Sequence, residues 1–116
     1  MPDRSVQTDI MHRVVVHGNT IYLGGMVADD KSLSIGGQTL QALKKIDELL
    51  KTVGSDATSL LSVTAYIVDM STKKEMNEAW KSFFAPETLP ARATVGVAEL
   101  GPGTLIELSV VAAVKG

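Results

Sequence analysis

A stretch near the C-terminus constrains the fold of this chain more than any other part. Residues 89–114, LPARATVGVAELGPGTLIELSVVAAV, hold two runs of β-branched and small apolar residues that are typical of β-strands. Arg92 opens the first run, and Glu107 interrupts the second. A charged side chain on a buried strand is unfavourable unless it is paired or binds a ligand. The two charges therefore predict either a buried salt bridge or a binding site.

Hydrophobic periodicity in the rest of the chain alternates between strands and helices. The predicted elements are a hairpin of strands over 13–16 and 20–23, a helix over 38–53, a short helical turn over 56–59, a strand over 61–68, a helix over 73–84, and closing strands over 93–98 and 104–114. The closing strands are joined through Gly101-Pro102-Gly103, so antiparallel hairpins are expected at both ends. The order β-β-α-β-α-β-β predicts an α+β fold with both helices on one face of a single sheet.

The helices carry end signals and apolar stripes. Gly54 stands where a C-terminal cap belongs, and Thr72 and Glu75 have the spacing of a capping box. The predicted inward residues are Leu40, Leu43, Ile46, Leu50 and Val53 on the first helix, and Met76, Ala79, Trp80 and Phe83 on the second. Trp80, Phe83 and Phe84 are interpreted as core residues. The last strand is apolar on both faces, so the uncovered sheet face is expected to pack against other copies of the chain.

Composition excludes several classes of function. At 116 residues, 45% of them hydrophobic, the chain is expected to form one domain, 1–116. It has no cysteine, which excludes disulfides, thiol catalysis and thiolate metal sites. Apolar runs stay short of the roughly 20 residues that span a bilayer, and the first residues show no signal-peptide pattern. We therefore expect a soluble cytoplasmic protein without a membrane partner.

The net charge and the positions of the histidines argue against binding of nucleic acid or metal ions. The net charge is −2, and basic residues are scattered, whereas nucleic-acid binding usually shows a basic stripe with aromatic platforms. His12 and His17 are five positions apart on a predicted strand, so their side chains point to opposite faces. Both are interpreted as surface or hairpin residues, and the alternative for His12 is that it lines the predicted cleft. A zinc site is not expected.

The closing strands resemble the C-terminal signature of the RidA (YjgF) family of reactive-intermediate imine/enamine deaminases. The matching residues are Pro90-Ala91-Arg92-Ala93-Thr94-Val95, Leu105-Ile106-Glu107-Leu108, Gly18-Asn19 with Gly24-Gly25, and Asn77-Glu78-Ala79-Trp80 with Phe83-Phe84. The likeness covers nearly the whole chain from Val14 onward. It implies a chorismate-mutase-like α+β fold that assembles as a homotrimer. In such a trimer the three sheets form a central β-barrel, the helices lie outside, and the active sites occupy clefts between subunits.

The resemblance also implies a reaction and a role for each site residue. The reaction is hydrolysis of 2-imino or 2-enamino acids to 2-oxo acids and ammonia, with neither a metal nor an organic cofactor. Arg92 corresponds to the residue that binds the substrate carboxylate, and Glu107 to the residue that positions the attacking water. Backbone groups near Gly25 and Thr94 hold substrate and water, and Asn77 lines or supports the cleft. A guanidinium fork matches a carboxylate, and a carboxylate can accept a water proton.

The cleft wall departs from the family pattern. Met11 stands where many members have a tyrosine that reaches the substrate, so we count it among the substrate-binding candidates. Gly24-Gly25-Met26 replaces the usual Ser-Gly-Gln, and Thr94 replaces a frequent cysteine. The glycine pair by itself predicts a bulge or a close approach of the backbone to a ligand or chain. These differences indicate a divergent branch of the family.

Two other functions compete with deamination. A non-catalytic trimer that binds small carboxylates would use the same Arg92. An endoribonuclease or translation inhibitor, as older family labels suggest, is disfavoured by the acidic balance and the missing basic patch.

Overall fold

A computed structural model describes residues 1–115, and within this range it contains one six-stranded sheet and two α-helices. Gly116, the last residue of the predicted domain, lies outside the described range. The strands are β1 (Asp3–Gln7), β2 (His12–His17), β3 (Thr20–Leu23), β4 (Leu60–Ile67), β5 (Ala91–Gly96) and β6 (Ile106–Ala113), and the helices are α1 (Ile35–Lys51) and α2 (Lys73–Phe83). The spatial order is β1-β2-β3-β6-β4-β5, and only the β4–β5 pair is parallel.

Both helices pack on one face of this sheet, which confirms the predicted α+β fold. In strand β6 buried and half-buried side chains alternate at every position, so one face of the strand points into the core. The buried side chains are Ile106, Leu108, Val110 and Ala112, and they join the core beneath the helices. We call the opposite side of the sheet the open face. There Tyr22 is 49% exposed and Val95 is 39% exposed. The predicted lack of cover is confirmed for residues 1–115, while packing against other copies stays a prediction.

The expected hairpin of closing strands is wrong. Strand β4 lies between β5 and β6 and pairs with both of them, parallel to β5 and antiparallel to β6. The chain leaves β4, crosses over through α2 and returns as β5, which is the usual way to join parallel strands. Residues 97–105 then carry it past the end of β4 to β6. Strand β1 was not predicted, because its residues are all exposed and lack apolar alternation.

Helix α1 buries a different set of residues from the predicted one at several positions. Leu40, expected inside, is 40% exposed, whereas Gln38 is fully buried. The Gln38 amide donates to the carbonyls of Leu33 (3.1 Å) and Gly103 (2.9 Å), and its oxygen accepts the N–H of Leu105 (2.9 Å). These bonds satisfy a buried amide and tie α1 to the loop before β6. A polar residue inside an apolar stripe is not visible to a periodicity argument.

The predicted capping box is also wrong, although α2 does begin at Lys73. Thr72 makes no side-chain cap for that helix. Glu75 instead accepts the hydroxyl of Ser34 (2.6 Å) and the N–H of Gly36 (2.8 Å), so it caps the N-terminus of α1. These bonds lower the pKa of Glu75. A Cβ at Gly36 would lie 2.9 Å from the same carboxylate oxygen, so the contact requires a glycine.

The connection between α1 and β4 follows the predicted pattern. Gly54 has a φ of +79°, the left-handed conformation expected after a helix C-terminus. A single 3₁₀ turn, Ala57–Ser59, follows and is capped by Asp56. The Asp56 carboxylate accepts bonds from the hydroxyl and N–H of Thr58 and pairs with Lys115 at 2.9 Å. The Thr58 hydroxyl bond contributes most, and together these contacts lower the pKa of Asp56 from 3.8 to about 2.

Candidate active site

A cavity of about 800 Å³ opens where β3 ends. Its lining includes Met11, Arg13, Gly25, Asp29, Lys45 and Glu107. Three of these residues, Met11, Gly25 and Glu107, are site candidates from the sequence, and the fold brings them together from three separate segments.

The glycine pair creates the geometry at the mouth of this cavity. The pairing of β3 with β6 gains one extra residue before Met26, which is a β-bulge at Gly24 and Gly25. A Cβ on Gly25 would lie 2.3 Å from the Glu107 Oε2 atom, and one on Gly24 would lie 2.9 Å from the Met11 sulfur. The predicted bulge is confirmed, whereas a close approach to a ligand or to another chain stays a prediction. The approaching groups are side chains of the same chain.

Two cations that were not among the predicted site residues, Arg13 and Lys45, line the cavity. Lys45 pairs with Asp29 at 2.8 Å and donates to the carbonyl of Val27 at the same distance. The Lys45 contact lowers the pKa of Asp29. Arg13 forms no ion pair with any of residues 1–115. Neither cation belongs to a recognisable motif, so only the three-dimensional arrangement identifies it.

Arg92 lies elsewhere, on the helix-covered face of the edge strand β5. It is directly opposite Val63, whose side chain is buried beneath the helices. The Arg92 Nη2 group donates to the Asn77 side-chain oxygen at 2.7 Å. The guanidinium carbon lies 5.0 Å from the centre of the Trp80 ring, within the range of a cation–π contact. Partial burial lowers the pKa of Arg92, yet an arginine stays charged at any relevant pH.

Asn77 and Trp80 reach the same guanidinium because they are three residues apart on α2, which places them on one helix face. The prediction that Trp80 belongs to the core is confirmed, since it is 6% exposed and packs against Phe84. Phe84 is also buried, and Phe83 packs at the margin of the core. The additional contact of Trp80 with Arg92 was missed, although the three-residue spacing from Asn77 was available as a signal.

Arg92 and Glu107 do not meet within one chain. Glu107 is opposite Tyr66 on the open face, while Arg92 is on the helix-covered face. Strand β4 separates their strands, which places the two backbones roughly 10 Å apart. No ion pair joins them within residues 1–115, so the alternative prediction of a buried salt bridge between them inside the chain is wrong. Thr94 is on the Arg92 side, opposite the buried Ala65.

The six site candidates thus form two groups. One group, Met11, Gly25 and Glu107, borders the cavity. The other, Arg92, Asn77 and Thr94, lies between β5 and α2. His12 and His17 are the first and last residues of β2. Among residues 1–115 the structure shows no cluster of histidine, aspartate or glutamate side chains able to hold a metal ion. No helix in that part of the chain is long and apolar enough to cross a membrane.

Comparisons with known proteins agree with this architecture. The family model described as endoribonuclease L-PSP matches residues 8–114. A RutC family protein from Haemophilus ducreyi is 31% identical over 108 residues, which cover 93% of this chain and 92% of that protein. The human 2-iminobutanoate/2-iminopropanoate deaminase is 36% identical over 106 residues, which cover 86% of this chain and 77% of the human protein.

A solved structure shows the same fold over the whole length. A member of the YjgF protein family from Neisseria meningitidis superimposes with a TM-score of 0.94 at 28% identity, covering 100% of this chain and 97% of that one. The matched range includes both closing strands, where the sequence resemblance is most specific. The chain therefore belongs to the family that the endoribonuclease L-PSP model describes, the RidA (YjgF) family.

Proposed function

We propose that this chain is a cofactor-independent deaminase that hydrolyses 2-imino and 2-enamino acids to 2-oxo acids and ammonia. The name of the human relative, 2-iminobutanoate/2-iminopropanoate deaminase, supports this class of substrate. The residues that would carry the reaction are Arg92 for the substrate carboxylate and Glu107 for the water.

One observation carries the proposal: Arg92 is a half-buried cation with no counter-ion among residues 1–115. A buried charge is normally paired, because removing it from water is unfavourable. The neighbours of Arg92, an amide and an indole ring, are neutral. One of its five N–H donors bonds to Asn77, which leaves about four for a ligand. A carboxylate, which accepts two parallel N–H bonds, suits this fork best.

The proposed site combines two subunits. Since Arg92 and Glu107 occupy opposite sheet faces, one small substrate cannot touch both within a single chain. The open face around Tyr22 and Val95 is uncovered and partly apolar, which favours association with further copies. In the proposed homotrimer, Arg92 of one subunit approaches the cavity of its neighbour. The neighbour then supplies Glu107, Gly25 and Met11 to the same cleft.

The chemistry follows from these positions. Arg92 holds the carboxylate of a protonated 2-imino acid and thereby places its C=N carbon beside a water bound at Glu107. The water oxygen bonds to that carbon, the C=N electron pair moves to nitrogen, and Glu107 accepts the water proton. Glu107 then returns the proton to nitrogen. The hydroxyl oxygen forms the C=O bond as the C–N bond breaks, ammonia leaves, and the hydroxyl proton passes to ammonia to give ammonium.

The test is ammonia release from an imine that an amino-acid oxidase generates in situ. The wild-type chain should accelerate the release, and Arg92→Ala should abolish the acceleration because substrate is no longer bound. Glu107→Gln should retain binding of 2-oxobutyrate while losing turnover. Equal ammonia release by wild type and Arg92→Ala refutes the proposal. Arg92-dependent binding of 2-oxobutyrate without any turnover by the wild type would establish a carboxylate-binding protein instead.

The printed name of the matched family model raises RNA hydrolysis as a rival activity. The composition argues against it, because the net charge is −2 and phosphate binding relies on clustered lysine and arginine. Within the cavity, Lys45 is already paired with Asp29. Ribonuclease activity that survives purification and disappears with Arg92→Ala would overturn this judgement.

A further inference from the structure

The contacts around Arg92 share one chemical property: each orients the guanidinium, and none neutralises it. The Asn77 oxygen accepts one N–H at 2.7 Å, and the Trp80 ring covers the group at 5.0 Å. An aspartate at position 77 could accept the same N–H more strongly, since charge-assisted bonds are shorter and stronger. An amide at this position keeps the positive charge available.

We propose that Asn77 and Trp80 are positioning residues that hold Arg92 in its ligand-binding orientation while leaving its charge uncompensated. The identity of the ligand, a 2-imino or 2-oxo acid, rests on the proposed function. The cation–π contact is suited to this task because it attracts the cation through the ring face without occupying an N–H donor. Asn77 then sets the rotation of the guanidinium plane, and a ligand carboxylate becomes the first full counter-ion.

The helix that carries Asn77 and Trp80 is held in place by contacts with the rest of the fold. Asn77 and Trp80 both project from α2, and Glu75 on the first turn of that helix is bonded to the N-terminus of α1. The Trp80 ring is buried and packs against Phe84 with ring centres 4.9 Å apart. The indole is therefore held by the core rather than by Arg92. Such a fixed surface lowers the entropy that Arg92 loses when it binds a ligand.

Trp80 also provides a built-in reporter, because it is the only tryptophan in the sequence. A carboxylate that binds Arg92 changes the field at a ring only 5.0 Å from the guanidinium carbon. We expect titration with 2-oxobutyrate to change the tryptophan emission of the wild type. Arg92→Ala absorbs the same light and should show no saturable change, so it corrects for absorption by the ligand. A saturable change of equal size in Arg92→Ala refutes the placement of the ligand at Arg92.

Asn77→Asp is the decisive variant. It keeps the hydrogen bond to Arg92 and adds a counter-ion, so the melting temperature should be unchanged or higher. Binding of 2-oxobutyrate, measured by calorimetry, should weaken about tenfold or more, because the ligand must compete with a permanent ion pair. In turnover, KM should rise while kcat changes little. Ser82→Asp adds a carboxylate at an exposed position of the same helix and should bind 2-oxobutyrate like the wild type.

Trp80 is tested by the pair Trp80→Phe and Trp80→Met. Phenylalanine retains an aromatic face, whereas methionine fills part of the space without one. Binding of 2-oxobutyrate should weaken by about 3- to 30-fold in Trp80→Met and by less in Trp80→Phe. Both variants are compared at a temperature where circular dichroism shows them fully folded. Equal affinities for the two variants, or wild-type affinity in Asn77→Asp, overturn the inference.

The binding measurement separates this inference from the proposed reaction. If the wild type binds 2-oxobutyrate through Arg92 but releases no ammonia, the deaminase proposal fails and the positioning roles stand. If the wild type is an active deaminase but Asn77→Asp binds and reacts normally, only the positioning roles fail. A wild-type chain that neither binds 2-oxobutyrate nor turns over imines overturns both.

Discussion

Because Arg92 and Glu107 lie on opposite faces of the sheet, two inactive variants should restore each other's activity when they are assembled together. Arg92→Ala lacks the proposed carboxylate site but retains Glu107. Glu107→Gln lacks the proposed base but retains Arg92, and its amide is close in size to the carboxylate that packs over Gly25. If each site joins two subunits, a mixed oligomer contains interfaces at which both intact residues meet.

The size of the recovery follows from the proposed trimer. In a cyclic trimer formed from equal amounts of both variants, each interface draws its two sides independently. An intact site needs a Glu107→Gln subunit on the Arg92 side and an Arg92→Ala subunit on the Glu107 side. This combination occurs at about one interface in four, so the mixture should show about a quarter of wild-type activity.

The assay is ammonia release after the two variants, carrying different affinity tags, are denatured, mixed and refolded. Sequential purification on both tags confirms that mixed oligomers formed. The matched control mixes Glu107→Gln with the double variant Arg92→Ala/Glu107→Gln, in which no interface can be intact. Mixed oligomers that are no more active than this control would refute the two-subunit site. Activity recovered without mixed oligomers would point to contamination.

Three further predictions address the cleft and the fold. Gly25→Ala places a Cβ 2.3 Å from the Glu107 Oε2 atom, so the carboxylate must move; kcat should fall at least about tenfold in the ammonia assay, with 2-oxobutyrate binding retained. A normal kcat would show that the position of Glu107 is not critical. The folded-state pKa of Asp56, about 2, is depressed from 3.8, so its stabilisation is complete above the higher value and lost as pH falls between the two. After solvent screening, this stabilisation amounts to about 1 kcal/mol. When the pH is lowered from about 5 to about 2, the free energy of unfolding measured with urea should therefore fall less for Asp56→Asn than for wild type. Glu75→Gln should lower the melting temperature more than Glu78→Gln, because only Glu75 caps the other helix; equal effects would contradict that role.

Local pattern accounted for much of the fold. Helix α2 begins at the predicted residue, and β2 and β3 form the predicted hairpin, although His17, predicted to lie between the strands, belongs to β2 and is opposite Thr20. Such elements depend on periodicity and turn residues that are contiguous in the chain. The partner of Glu75 is not visible in such a local pattern. Its spacing from Thr72 matches a capping box, but the helix end that it caps is about 40 residues away in sequence.

Within the candidate site, the sequence by itself determined which residues are chemically unusual. Arg92 and Glu107 stand out as opposite charges in apolar strands, and the residues around them identified the family. Tertiary structure decided where the two charges point. A strand's period of two says only that successive side chains alternate, whereas the faces are assigned by the side on which the helices pack. Strand neighbours depend on contacts between distant segments, so β4 could separate two strands that follow each other in sequence. Among residues 1–115, that separation places a cation on one face and a carboxylate on the other, and neither has a counter-ion.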